Sequence, residues 1–110
     1  MPGVVIVSAA RTGVGKFGGS LAGIHGFTMA LAQELASKGV TVNTVSPGYI
    51  GTDMVRAIKP EALEKIVNTI PVRRLGTPEE IVSIVGWIAS EESGFATGAD
   101  FSLNGGLHMS

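Results

Sequence analysis

The chain has 110 residues, of which 45% are hydrophobic and 15% charged, with a net charge of −1 and no cysteine. That length suits one domain, and that apolar content excludes a disordered chain. The charge balance excludes a basic grip on nucleic acid or on an anionic membrane, and the missing cysteines exclude disulfides, thiolate metal sites and cysteine nucleophiles.

Met1-Pro2-Gly3 offers no positively charged start of a secretion signal, and Val4 to Ala10 runs straight into Arg11. The longest uncharged stretch, Phe17 to Gln33, falls short of the ~20 apolar residues that span a bilayer. A cytoplasmic protein without membrane or nucleic-acid partners is expected. No His, Asp or Glu cluster has metal-ligand spacing.

Val4-Val5-Ile6-Val7 is β-branched or apolar throughout and predicts a strand buried on both faces, as in a parallel sheet. Residues 11–19 read as a glycine-rich turn. From about Leu21 to Lys38 the pattern is helical, with Ile24, Phe27, Leu31 and Leu35 on an apolar stripe. Ala22, Gly26 and Ala30 form a second stripe of small residues that would let another helix approach, and Gly39 is a stop signal. Val40 to Val45 predicts a second strand, closed by Ser46-Pro47-Gly48. Residues 52–59 read as a mobile connection. Pro60 opens a helix carrying Leu63, Ile66, Val67 and Ile70, and Pro71 ends it. Thr77-Pro78-Glu79-Glu80 predicts a capping box at the start of a helix that buries Ile81, Ile84, Val85 and Ile88. Phe101-Ser102-Leu103 is a last strand before the Gly105-Gly106 turn. This order predicts an α/β fold: a partial Rossmann-like, doubly wound parallel sheet that is incomplete. The sixteen glycines, about twice the usual ~7% share, fit tight strand–helix turns.

Gly13-x-Gly15-x-x-Gly18 follows a strand and precedes a helix, as a dinucleotide-binding loop does. Lys16 and Phe17 are bulky where a phosphate must approach, and no acidic residue ends the second strand, so a glycine-rich surface loop is the competing reading. His25 and His108 are expected to be packing or surface residues. Arg73-Arg74 could meet an acyl-CoA phosphate or form a solvated turn. Trp87 is expected at an interface or in the core.

Several motifs carry a resemblance. Val42-Asn43-Thr44-Val45-Ser46-Pro47-Gly48-Tyr49-Ile50-Gly51-Thr52 resembles the sixth strand and following turn of the short-chain dehydrogenase/reductase family. Pro71-Val72-Arg73-Arg74-Leu75-Gly76-Thr77-Pro78-Glu79-Glu80-Ile81 resembles the lead into its last long helix, and Thr97 to Gly106 its final strand. Ala22 to Thr28 and the Gly105-Gly106-Leu107-His108-Met109 ending narrow the likeness to its branch that reduces 3-oxoacyl-CoA with NADPH in polyhydroxybutyrate synthesis. Residues 1–21, with Val4 to Thr12 and Gly15 to Leu21, resemble instead the start of a thiolase. Two segments are therefore expected: 1–21 thiolase-like, and 22–110 the C-terminal part of a reductase domain. A competing reading has Val4 to Ser8 standing in for the reductase's fifth strand.

The resemblance implies that Pro47, Gly48, Ile50 and Thr52 bind NADPH, with backbone contacts from Ile50 and a hydroxyl contact from Thr52. It implies that Tyr49 faces the acyl-CoA substrate. The family's proton donor is a tyrosine with a lysine four residues on, a pair that works by general acid catalysis. Tyr49 is the only tyrosine here and Asp53 stands four residues after it, so no catalytic residue is assigned. Three functions follow: a 3-oxoacyl-CoA reductase or a fragment of one, a non-catalytic module that self-associates as a homo-oligomer, or a deletion product joining two genes of one pathway.

Overall fold

The computed structural model describes residues 3–8 and 17–108, with side chains at 3–4 and 23–108. Three parallel strands form one sheet: β1 (Val4–Ser8), β2 (Thr41–Pro47) and β3 (Asp100–Leu103), in the order β1-β2-β3. Val4 pairs with Thr41 at one end of the first ladder, and Pro47 with Leu103 at the far end of the second. The chain is α/β with an incomplete parallel sheet, consistent with a partial Rossmann-like domain.

β2 is the floor of the molecule. Val42 to Ser46 are all buried, as a central parallel strand requires. Three of those five are polar, and each has a partner. Thr44 donates through its hydroxyl to Thr28 Oγ1 at 2.7 Å, and Thr28 donates to the Ile24 carbonyl at 2.9 Å. Asn43 Nδ2 donates to the Ala96 carbonyl at 3.0 Å, and its Oδ1 accepts from Ala99 N–H at 3.1 Å. Ser46 donates to Asp100 Oδ1 at 2.6 Å.

The helices α1 (Phe17–Leu35), α3 (Pro60–Thr69) and α4 (Pro78–Ala89) match the sequence pattern. A single 3₁₀ turn, Ala36–Lys38, follows α1, and Gly39 closes it at φ 75°, a conformation that favours glycine. At α4 both arms of the capping box form. Ile88 is fully buried, whereas Ile81, Ile84 and Val85 are half-buried.

Five expectations are corrected. Gly18 and Gly19 lie in the first turn of α1 rather than in a loop, because packing of α1 on β2 outweighs the ~1 kcal/mol helix penalty of each glycine. Gly13, Gly15 and Lys16 lie outside the described residues. Phe27 is 62% exposed, because the buried stripe of α1 is shifted by one residue onto Thr28 and Ala32. A threonine whose hydroxyl is bonded on both sides packs as core, which an apolar count does not register. Gly26 and Ala30 are exposed, and nothing described lies within 4 Å of where a Gly26 side chain would begin, so no helix of the described chain uses that stripe. Residues 52–59 contain a short helix, α2 (Asp53–Arg56), which Thr52 caps by accepting from Val55 N–H. β2 also runs two residues further than expected, to Pro47.

Candidate functional site

Ligands of open α/β sheets bind beyond the carboxyl ends of the strands. Here that rim begins at Pro47, the last residue of β2. Gly48 N–H donates to the Leu103 carbonyl at 2.9 Å, which holds the departing chain against the end of β3. A side chain at 48 would meet Asn104 Cβ at 2.7 Å and its Cα at 2.9 Å, so only glycine fits.

On its other side the loop is strapped by one residue. Ile50 and Gly76 form an isolated parallel bridge. Gly76 N–H donates to the Tyr49 carbonyl at 2.9 Å, and Gly51 N–H donates to the Gly76 carbonyl at 2.8 Å. A bridge of this kind turns the N–H of Ile50 to the opposite side. At Gly76 a Cβ would meet Ile50 Cδ1 at 2.8 Å, the tip of a side chain that can turn aside, and the Tyr49 carbonyl at an ordinary 3.7 Å, so the fit is looser than at Gly48. The Ile50 carbonyl accepts from Thr52 N–H at 2.7 Å, and the Thr52 hydroxyl oxygen caps α2.

A cavity of about 240 Å³ opens beside this loop. Tyr49, Ile50, Val72, Ile81, Gly105 and Gly106 are among its lining residues. Pro47, Gly48 and Thr52 do not line it, so the five expected residues are neighbours on one loop but do not share one pocket. Gly105 adopts φ +65° and lies tight against Val72, whose N–H donates to its carbonyl at 3.2 Å.

Arg74 lies at the cavity edge and makes a two-pronged ion pair with Glu80: Nη1 to Oε1 at 2.7 Å and Nη2 to Oε2 at 3.0 Å. Of the two readings of Arg73-Arg74, Arg74 is thus committed within the chain. The guanidinium first, and the Thr77 backbone N–H next, hold the Glu80 carboxyl down at about 2. The same pairing raises Arg74. Trp87 packs edge-on against Phe101, ring centres 6.0 Å apart, and keeps 38% of its surface exposed. Among the described residues no three His, Asp or Glu side chains converge on a metal position, and no helix is long and apolar enough to cross a membrane.

The sequence reading missed Asn104 and the second role of Glu80. Asn104 Oδ1 accepts from Gly106 N–H at 3.0 Å, and Nδ2 donates to the His108 carbonyl at 2.8 Å. An Asn two residues before a glycine in a turn is a readable signal for that arrangement. Glu80 was legible as a cap, but its partner Arg74 was not.

A strand-end loop braced by glycines, ahead of a capped helix and a final parallel strand, is the rim of an open α/β sheet. A family profile described as enoyl-(acyl carrier protein) reductase matches residues 5–108, and the chain belongs to this family of short-chain dehydrogenases/reductases. The chain is 67% identical over 111 residues to the acetoacetyl-CoA reductase of Cupriavidus necator, covering 96% of this chain and 45% of that protein. It is 47% identical to the acetoacetyl-CoA reductase of Allochromatium vinosum over the same shares. It is 42% identical over 108 residues to the 3-oxoacyl-[acyl-carrier-protein] reductase FabG of Pseudomonas aeruginosa, covering 98% of this chain and 44% of that protein. The chain therefore spans less than half the length of these relatives. The family match starts at residue 5 and so takes in most of the 1–21 stretch; the thiolase likeness finds no support there. β1 also pairs with β2 in the same sheet, the place that the fifth-strand reading gives it.

Proposed function

We propose that the chain carries the nicotinamide- and substrate-facing part of an NADPH-dependent 3-oxoacyl-CoA reductase, with acetoacetyl-CoA as the substrate. The observation that carries this reading is the loop 48–51, clamped between Leu103 and Gly76 at the end of the central strand. Its geometry fits the nicotinamide end of the cofactor. Gly48 lets the loop lie against Asn104, the Ile50 N–H is turned away from the Gly76 strap, and the Thr52 hydroxyl keeps a proton to donate while its oxygen caps α2. Pro47, Gly48, Ile50 and Thr52 would hold that end, and Tyr49 would face the acyl group across the cavity. When bound, NADPH supplies the hydride. The chain's own residues orient the ring and shield one side from water. The family's Tyr-x-x-x-Lys pair is not present in the sequence, so the chain by itself binds without turning substrate over. Calorimetric titration of the folded chain with NADPH should give a saturable heat, and incubation with NADPH and acetoacetyl-CoA should give no oxidation above a blank. A folded chain with no NADPH heat would end the binding reading, and turnover would end the inactive one.

A second reading concerns partners. Phe27 at 62%, Val82 at 70% and Phe95 at 104% exposure leave apolar surface that self-association would cover. Light scattering should find species larger than one chain, and a strict monomer at all concentrations would sink this.

A further inference from the structure

We propose that Glu80 is a positioning residue for the cofactor-facing loop, acting through Gly76; for its effect on the cofactor this rests on the function proposed above. Glu80 closes the 74–80 segment from both ends. Its Oε1 accepts from Arg74 Nη1 at 2.7 Å, from Thr77 N–H at 2.9 Å and from the Thr77 hydroxyl at 3.2 Å, while Oε2 accepts from Arg74 Nη2 at 3.0 Å. Thr77 Oγ1 in return accepts from Glu80 N–H at 3.1 Å. Gly76 lies inside this closure, next to Thr77. Its two backbone bonds, to Tyr49 and Gly51, are the ones that set the register of Ile50.

The chain of cause is short. α4 is a regular helix, Glu80 sits in its first turn, and both guanidinium nitrogens of Arg74 bond its carboxylate. The 74–80 segment is thereby fixed to α4, and the single-residue bridge transfers that position to the loop. Among the described residues, Ile50 and Gly51 have no other backbone bond to the 70–80 region. Glu80 lines the cavity edge, yet its hydrogen bonds all run to residues of its own closure rather than to the loop. A shift of ~1 Å in a positioning group can cost a large factor at a binding site even where the group touches no ligand.

The test uses amide hydrogen exchange by NMR on the unliganded chain, comparing it with Glu80→Gln, which keeps the size but loses the charge. Glu80→Gln should speed exchange about tenfold at the Gly51 and Gly76 amides and leave the Thr44 amide, bonded to Ala99, unchanged within about twofold. Arg74→Ala should reproduce this pattern. Ile88→Val, a buried change remote from the loop, should lower the melting temperature without the selective acceleration. Equal acceleration at Gly51, Gly76 and Thr44 would mean that Glu80 only stabilises the fold, and no acceleration would mean that the bridge does not depend on it; either overturns the proposal. The NADPH dissociation constant should rise about fivefold in Glu80→Gln and stay unchanged in Ile88→Val. If the unmodified chain binds no NADPH, the functional reading fails, and the exchange pattern still decides the role of Glu80.

Discussion

The buried floor of β2 and the rim beyond its carboxyl end are held by opposite means. On the floor, Asn43, Thr44 and Ser46 are sealed from water and each bonds a specific partner. An unpaired polar group there has no water to turn to, so the geometry is fixed by the cost of breaking it. On the rim, Arg74 and Glu80 keep 57% and 44% of their side-chain surface exposed, and water competes for every bond. Position there comes from glycines that let backbones touch and from local closures such as Thr77–Glu80. A fold can therefore be built firmly at the floor while its rim stays adjustable, and changes in the two regions should have different readouts.

The largest effect is expected on the floor. Asn43→Ala leaves the Ala96 carbonyl and the Ala99 N–H without their partner and opens a small void, so stability should fall by about 3 kcal/mol in urea unfolding. A loss below about 1 kcal/mol would mean that water replaces the amide and that the floor is not sealed. At the rim, Gly48→Ala drives a methyl into Asn104 and should cost about 1–2 kcal/mol of stability while weakening NADPH binding about tenfold. If Gly48→Ala shifted stability as much as Asn43→Ala and left the binding of NADPH unchanged, the contrast between the two regions would collapse. Back on the floor, Thr28→Val removes the acceptor of the Thr44 hydroxyl and should cost about 1–2 kcal/mol. Thr28→Val with Thr44→Val should cost less than the two single losses added together, because the second change removes the orphan that the first created.

What the sequence made legible divides along the same line. The strands show in runs such as Val4 to Val7, and the start of α4 shows in Thr77-Pro78-Glu79-Glu80, because both obey rules that act within a few residues. Pro47-Gly48 was readable as the end of a strand in a place where ligands bind. Its braces were not, because Gly76 and Asn104 meet the loop across 26 and more residues of chain and leave no local trace. Phe27 was misread because the face of α1 is chosen by the Thr28–Thr44 bond, a contact between two polar side chains. α2 was missed because four residues hold too little periodicity to show; its Thr52 cap was its sole local signal. The glycines divide likewise. Gly39 and Gly105 are in left-handed turns, as the composition suggested, but Gly48 is there for close approach to Asn104, which only the fold reveals.

The smallest effect concerns the charge that closes the rim. Arg74 and Thr77 hold the Glu80 carboxyl at about 2 against an ordinary 4.5. The folded chain therefore binds fewer protons than the unfolded chain between those values, and stability rises with pH through that window. The contribution of Glu80 is complete above about 4.5 and is lost as pH falls towards 2, where the carboxyl takes up its proton and the guanidinium loses its partner. Arg74 stays charged throughout, so Glu80 alone sets the direction. The melting temperature of Glu80→Gln should lie below that of the unmodified chain at neutral pH, and the gap should close as pH falls from 4.5 to 2. Because both side chains are exposed, the gap at neutral pH should also shrink in about 1 M salt, where charges are screened within a few ångströms. A gap that ignored both pH and salt would remove the ion pair from the account of how the rim is held.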